Sequence, residues 1–271
     1  MCSGATIKPA TVGRRPPCLQ SWHGISCAMI QSPLSRWIDT ALAIAYPEQC
    51  QLCEQHSATA AQGYVCRSCQ KSLRPTKPPW CHQCGLPVSA NQPPDAPCLN
   101  CRETDRQFHQ ARAAFTAQGP MREIIHRYKY DQHEFFEPLL KQCCLQATLP
   151  SPTTYTALIP TPLHPTKERE RGFNQADRLA AFFAELFDIP INAGLLKRVR
   201  FTETQTHLSR SQRLRNLRGA FVCSNSTCEG RFLLIDDVMT TGATASAAAH
   251  ALKKAGAQQV DVLTLARALP F

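Results

Sequence analysis

The hydrophobic pattern divides the chain into an irregular start, a short helical stretch, a cysteine-rich stretch and a long alternating stretch. Residues 1–30 have no apolar period, and we expect them to be disordered or to lie ahead of the true start of translation. Apolar residues then recur at helical spacing from Leu34 to Ala45, until Pro47 ends the run. This pattern predicts an amphipathic helix over residues 31–47.

From residue 110 to residue 271, short apolar runs alternate with segments of helical period. The predicted strands cover residues 111–117, 156–159, 232–235 and 260–265. The predicted helices cover residues 135–147, 174–187 and 243–254, and a further helix has a buried face of Met121, Ile124, Ile125 and Tyr128. The inward residues of the helix over 174–187 should be Leu179, Phe182, Phe183 and Leu186. Strand–helix–strand units with short connections predict an α/β domain with a parallel sheet and right-handed crossovers.

Composition and charge add two constraints. A hydrophobic share of 43% is enough for a buried core, and a formal net charge of +10 favours a polyanionic partner. No stretch reaches the roughly 18 consecutive apolar residues of a membrane span, and the start lacks the apolar core of a secretory signal. We therefore expect a cytoplasmic protein without a membrane span, whose cysteines stay reduced and bind metal.

Eight of the fifteen cysteines form four Cys-x-x-Cys pairs in the stretch over residues 48–104. Each such turn directs two thiolates at one point, and two turns complete the tetrahedral sulfur shell of a zinc ion. The first and third spacings are nearly equal, which indicates a ribbon repeated twice and two sequential sites. One site would use Cys50, Cys53, Cys66 and Cys69, and the other would use Cys81, Cys84, Cys98 and Cys101. A cross-braced arrangement, in which alternate pairs share an ion, is the alternative.

Zinc in this stretch should be structural. Large apolar residues are few here, and a structural zinc site contributes on the order of 10–16 kcal/mol to folding. All eight thiolates are used, so neither ion keeps an open coordination position for catalysis. Four evenly spaced pairs fit neither a single redox motif nor the closely spaced cysteines of a ferredoxin.

A predicted phosphate site follows the strand over residues 232–235. The strand leads to two acids, Asp236 and Asp237, and then through Val238 and Met239 to small residues that open a helix: Thr240, Thr241, Gly242, Ala243 and Thr244. Backbone N–H groups at such a turn bind a phosphate. The neighbouring carboxylates suit a ligand that also carries a vicinal diol. A generic N-capped helix behind two acids is the plainer interpretation.

Two basic segments precede this site in the sequence. The first lies just after the prolines that follow the strand over 156–159, and it places Arg169 and Arg171 where a diphosphate could bind. The second extends from Lys197 to Arg218 with seven basic residues and one acid. It is either a solvated surface or a contact for phosphates, and its nucleic-acid candidates are Arg198, Arg200, Arg210, Arg213 and Arg215.

The strand, acid pair, small-residue loop and helix over residues 232–244 resemble the phosphoribosyl-diphosphate signature of type I phosphoribosyltransferases. Together with the double zinc ribbon and the segments Arg171-Gly-Phe-Asn-Gln and Gln205 to Asn216, they resemble the ComF family of competence and DNA-utilisation proteins. The resemblance implies a type I phosphoribosyltransferase-like domain over residues 110–271. It also implies that Asp236 and Asp237 hold the ribose hydroxyls as the catalytic pair, that residues 240–244 hold the 5′-phosphate, and that Mg²⁺ accompanies the diphosphate.

Two functions are compatible with this pattern. The first is transfer of a phosphoribosyl group to an acceptor, within the uptake or use of external DNA and in contact with the DNA-uptake machinery. The second is a non-catalytic module that senses phosphoribosyl diphosphate and binds single-stranded DNA through the ribbons and the second basic segment. The sequence favours the transferase, although it contains no recognisable segment that would read a particular nucleobase.

Overall fold

The computed structural model describes residues 48–93, 96–102, 104–152, 154–201, 217, 219–224 and 227–269. The predicted helix over 31–47 therefore lies outside the described residues, as do residues 1–30 and the nucleic-acid candidates Arg210, Arg213 and Arg215. Pro47 to Phe271 form one compact unit.

A four-stranded parallel sheet is the centre of this unit, with the strand order β1-β6-β5-β2. Its strands are β1 (Ala111–Thr116), β2 (Ala157–Pro160), β5 (Arg231–Met239) and β6 (Gln259–Arg267). A small antiparallel pair, β3 (Leu196–Arg198) and β4 (Phe221–Cys223), flanks the second basic segment. The predicted α/β fold with a parallel sheet is confirmed.

Seven α-helices are described, and most of them cover the two faces of the sheet. They are α1 (Arg67–Lys71), α2 (Leu99–Arg102), α3 (Gly119–Tyr130), α4 (Glu137–Cys144), α5 (Pro165–Arg171), α6 (Gln175–Phe187) and α7 (Ala243–Lys254). Two 3₁₀ turns cover Ala60–Gln62 and Glu134–Phe136. Among the described residues, no helix has the length and apolar character that crossing a bilayer requires.

The helix predictions agree with the structure except at two points. All four residues of the expected α3 face are buried. The helix predicted over residues 135–147 covers only Glu137–Cys144; at its start a 3₁₀ turn precedes it and Pro138 occupies the first helical turn. On α6, Leu179 and Phe183 are buried, but the prediction for Leu186 was wrong, since that side chain is 37% exposed near the helix end.

Strand β5 is longer than predicted, because its backbone continues to pair with β6 beyond the apolar residues. Asp236 pairs with Thr264 and Val238 with Ala266, so the two acids lie within the strand and not after it. Residues of β5 alternate between two cores: Phe232 and Leu234 face one side, while Leu233 and Ile235 face the other.

The cysteine-rich stretch packs against both faces and along one edge of this sheet. The second set of four cysteines shares a core with α7, and Cys50 and Cys66 share the other core with α3, α4 and α6. At the outer side of β1, Thr76 N–H donates to Ala114 O at 2.9 Å, and Ala111 N–H donates to Gln83 O at 2.8 Å. The cysteine-rich stretch and the sheet therefore share both hydrophobic cores.

Candidate functional site

The eight cysteines form two separate clusters. In the first cluster, Sγ of Cys50 lies 3.8 Å from Sγ of Cys69, and Sγ of Cys53 lies 3.7 Å from Sγ of Cys66. In the second, the distance from Cys81 to Cys101 is 3.8 Å and that from Cys84 to Cys98 is 3.5 Å. The sequential arrangement is thus confirmed over the cross-braced one.

These distances fit zinc. Four sulfurs placed about 2.3 Å from a central ion in a tetrahedron are about 3.8 Å apart, and in each cluster all four sulfurs lie within 4.8 Å of one another. The second cluster is fully buried, whereas Cys53 and Cys69 of the first are partly exposed. A hydrogen bond with His56, 3.5 Å away, is the largest of the effects that lower the pKa of the Cys53 thiol to about 6. The residues are those of two structural zinc sites.

The acid pair lies at the carboxyl end of β5, where parallel sheets bind ligands. Asp237 N–H donates to Oδ1 of Asp236 at 2.9 Å, and Val238 N–H donates to Oδ1 of Asp237 at 2.6 Å. Burial raises the pKa of the Asp236 carboxyl to about 7, and the neighbouring charge of Asp237 adds to this increase. Lys129 and Arg198 act in the opposite direction. The net effect on Asp236 favours its protonated form.

Two basic residues act on the acid pair, and a third lies near one of them. The Nζ atom of Lys129, on α3, lies 2.7 Å from Oδ2 of Asp237. Arg198, on β3, is close enough to lower the pKa of Asp236, and its guanidinium lies 5.6 Å from the ring centroid of Phe221. Arg171 donates to Oε1 of Gln175 at 3.0 Å, and its charge lowers the pKa of Arg198 after the larger effect of burial.

Lys129 was not among the candidates from the sequence. Helical periodicity identifies the buried face of α3, and Lys129 is adjacent to that face without belonging to it. Among the predicted candidates, Arg169 is exposed on the last turn of α5, and no described contact joins it to the acid pair. Arg200 is likewise exposed.

The small-residue loop connects β5 to α7 as the sequence predicted. Gly242 is the N-cap of α7 and has a φ of +79°, a left-handed conformation that favours glycine. The hydroxyl of Thr241 accepts a hydrogen bond from Ala243 N–H at 3.3 Å, while Thr240 is exposed. Of the other candidates, Met239 and Ala243 are buried, and Val238 and Thr244 are half-buried.

Two buried arginines, which sequence reasoning missed, hold this loop from behind. Arg106 Nη1 donates to Thr241 O at 2.7 Å, and Arg267 Nη1 donates to Met239 O at 2.7 Å and also to Thr240 O. Both arginines contact the second cysteine cluster as well. Their sequence separation from the loop leaves no local signal for these contacts.

A cleft of about 520 Å³ lies beside the site, between the end of β2 and strand β3. Pro160, Pro162 and His164 form part of its wall, and Lys197 and Arg198 provide positive charge. Asp177, which also lines the cleft, has a raised pKa, first because of burial and then because of the nearby Glu168. The cleft combines apolar walls with polar groups, as small-molecule sites do.

Comparison with known proteins agrees with this arrangement. The double zinc ribbon domain family matches residues 41–102. Competence protein F of Haemophilus influenzae is 31% identical over 228 residues, which cover 81% of this chain and 97% of that protein. The chain belongs to the ComF family.

Two further members of the ComF family illustrate its range. Competence protein ComFC of Bacillus subtilis is 31% identical over 212 residues, covering 75% of this chain and 84% of that protein. The DNA utilization protein YhgH of Escherichia coli K12 is 29% identical over 231 residues, covering 83% of this chain and all of that protein. The similarity to ComF proteins therefore extends over both the cysteine clusters and the sheet.

Proposed function

We propose that this ComF protein binds phosphoribosyl diphosphate with Mg²⁺ at the carboxyl end of β5 and transfers the phosphoribosyl group to an acceptor. The observation that carries this proposal is the placement of Asp236 and Asp237 at the carboxyl end of β5, which leads into a loop that opens a helix. A pair of carboxylates alone would repel a phosphate, but a sugar phosphate offers hydroxyls to the acids and an anion to the loop.

Each part of the site has a role in this proposal. The two carboxylates accept hydrogen bonds from the ribose hydroxyls, and the N–H groups of residues 240–244 donate to the 5′-phosphate. Lys129, Arg171 and Arg198 provide positive charge for the diphosphate. Mg²⁺ bound to the diphosphate needs few protein ligands, because it keeps several waters.

Transfer requires that the bond between C1 of the ribose and the diphosphate breaks while the acceptor attacks C1. The basic residues would stabilise the charge that develops on the leaving diphosphate. The cleft that Arg198 lines is adjacent to the acid pair and large enough for a small acceptor. The protein would act by positioning and charge stabilisation.

We further propose that the protein acts in the uptake or use of external DNA, in contact with the DNA-uptake machinery and within the cytoplasm. The names of its relatives, competence proteins and DNA utilization proteins, support this setting. The surplus of positive charge, +10 over the chain, is consistent with a nucleic-acid partner.

Calorimetry with phosphoribosyl diphosphate and Mg²⁺ tests the binding step. We expect saturable binding to the wild-type protein and a loss of at least about tenfold in affinity for Asp236→Asn combined with Asp237→Asn, since each lost charged hydrogen bond costs about 1.5–3 kcal/mol. Asp188→Asn is the control, because Asp188 is exposed in a left-handed conformation that asparagine also adopts. Equal affinity of the double variant and the wild type would refute the proposal.

A second candidate is a sensor that binds the same ligand without transfer and holds single-stranded DNA. The density of basic residues between Lys197 and Arg218 favours it. Phosphorus NMR separates the two, because only a transferase releases diphosphate when nucleobases or single-stranded DNA are added as acceptors. Binding without release under all these conditions would favour the sensor.

A further inference from the structure

We propose that Arg106 and Arg267 are positioning residues that fix the backbone of the small-residue loop between β5 and α7, here called the phosphate loop. They do so only while the second cysteine cluster holds its zinc ion. The zinc ion would then control the affinity of the phosphoribosyl site, which makes zinc an effector of ligand binding as well as a structural ion. This inference rests on the proposed function for the identity of the ligand, but not for the coupling between the cluster and the loop.

Both arginines are buried where a charge is costly. The exposed fractions are 6% for Arg106 and 1% for Arg267, and buried charges are rare unless they are paired. Among the described residues, the salt bridges include neither of them. Their counter-charge must therefore come from another group.

The second cysteine cluster provides that counter-charge. Nε of Arg106 lies 3.3 Å from Sγ of Cys101, and Nη2 of Arg267 lies 3.9 Å from Sγ of Cys84. Four thiolates around one Zn²⁺ leave two surplus negative charges, and the two guanidinium groups match them. The ion fixes the positions of Cys84 and Cys101, so the two arginines keep these sulfur partners only when the site is loaded.

Other N–H groups of the same two guanidinium groups donate to three consecutive carbonyls at the start of the loop. Arg267 donates to Met239 O and Thr240 O, and Arg106 donates to Thr241 O. In a trans peptide the C=O and N–H point in opposite directions, and the only described cis peptide joins Pro78 to Pro79.

Fixing these carbonyls inward therefore turns the next N–H groups, those of Thr240, Thr241 and Gly242, toward the open side of the loop. This is the orientation that an anion-binding turn requires. A Cβ at residue 242 would meet the Arg106 guanidinium and force it to shift, so glycine at this position leaves room for the arginine. The loop is thus shaped by side chains that are themselves held by the zinc cluster.

The first cluster has a different neighbour and serves as the internal control. Arg127 Nη1 donates to Gln51 O at 2.6 Å next to that cluster, and the same side chain pairs with Glu123 at 2.7 Å. No described contact joins Cys50, Cys53, Cys66 or Cys69 to residues 239–244. Loss of the first ion should leave the phosphate loop in place.

The test uses the full chain loaded with zinc, with zinc content measured by atomic emission. Cys98→Ser removes a ligand of the second ion without removing a sulfur that contacts an arginine, and Cys69→Ser is the equivalent change at the first. Arg106→Lys and Arg267→Lys keep the charge but cannot reach sulfur and carbonyl together. Arg112→Lys is their control, because Arg112 donates only to His82 O and Ala111 O among the described groups.

Two readouts are compared across these variants: hydrogen exchange of the amides of residues 240–244, and affinity for Mg²⁺ with phosphoribosyl diphosphate. For Cys98→Ser and both loop-arginine variants we expect exchange at least about tenfold faster and affinity at least about tenfold weaker. For Cys69→Ser and Arg112→Lys we expect changes within about threefold.

The proposal would be overturned if the loop amides of Cys98→Ser exchanged at the wild-type rate. It would also be overturned if Cys98→Ser and Cys69→Ser changed loop exchange equally. If Cys98→Ser does not fold, Arg106→Lys and Arg267→Lys provide the test, because they retain all eight cysteines. Loop exchange at the wild-type rate in both arginine variants would overturn the proposal. If the wild type does not bind phosphoribosyl diphosphate, the proposed function fails, while the exchange data still report on the coupling.

Discussion

The Nζ atom of Lys129 lies 2.7 Å from Oδ2 of Asp237, which links the end of α3 to the acid pair on β5. Both side chains are mostly buried, with exposed fractions of 18% for Lys129 and 11% for Asp237. Lys129 pairs directly with Asp237, and its charge also lowers the pKa of Asp236, but burial has the larger effect and raises that pKa. This net increase leads to the first prediction.

Asp236 should titrate near neutral pH in the ligand-free protein, because burial raises its pKa from 3.8 to about 7. The folded state then binds this proton more tightly than the unfolded chain does. The contribution of Asp236 to the free energy of unfolding should therefore decrease as the pH rises from about 4 to about 7. Carbon NMR of the carboxyl groups, assigned with Asp236→Asn, measures the midpoint.

Two variants should move this midpoint in opposite directions. Lys129→Ala removes a cation that favours the carboxylate, so the pKa of Asp236 should rise. Asp237→Asn removes a neighbouring negative charge, so the pKa should fall. A midpoint near the ordinary aspartate value that neither change affects would contradict the described electrostatics.

Gly242→Ala should disturb the loop by more than the cost of its backbone angle. A left-handed alanine costs about 1–2 kcal/mol, and overpacking against Arg106 should add about 1–3 kcal/mol. Gly119→Ala is the matched control, since Gly119 also has a positive φ but a Cβ there meets nothing within 4 Å. Urea unfolding of both variants gives the difference, and equal destabilisation would argue against the close approach of Arg106.

Leu179 and Leu186 provide a test of how α6 packs. Leu179 is 1% exposed and Leu186 is 37% exposed, although both have helical spacing in the sequence. Leu179→Ala should lower the free energy of unfolding by about 2–5 kcal/mol, and Leu186→Ala should change it by less than about 1 kcal/mol. Similar losses in urea unfolding would mean that the helix is rotated from its described position.

If the second basic segment binds single-stranded DNA, its arginines should determine how steeply the DNA affinity falls with salt concentration. Each phosphate contact on a single strand contributes about 0.7 to the slope of log affinity against log salt. Replacing Arg210, Arg213 and Arg215 by Ala should therefore reduce the slope by about 2. Fluorescence anisotropy at several salt concentrations measures it.

A variant of equal charge change is the control for this measurement. It replaces three exposed lysines that belong to other elements, namely Lys71 on α1 and Lys253 and Lys254 on α7. Its slope should stay close to that of the wild type. Equal reductions in both variants would indicate a general charge effect and not a contact by the segment.

Much of this arrangement could be predicted from local sequence. The spacing of the cysteines favours sequential zinc sites and leaves the cross-braced arrangement as the alternative, while β5, the acids and Gly242 follow from one run of thirteen residues. What could not be predicted depends on distant contacts: Arg106 reaches Thr241 across 135 positions, and Lys129 on helix α3 reaches Asp237 on strand β5. The three-residue strands β3 and β4 are too short for a periodic signal.

The pairing of the cysteine-rich stretch with β1 has a consequence for how the protein can be divided. An uncovered outer strand of a parallel sheet offers unpaired N–H and C=O groups to any other extended chain. Residues near Thr76 and Gln83 occupy those groups on β1. A fragment that starts at residue 110 would leave them open, and self-association through that edge is the expected fate of such a truncation.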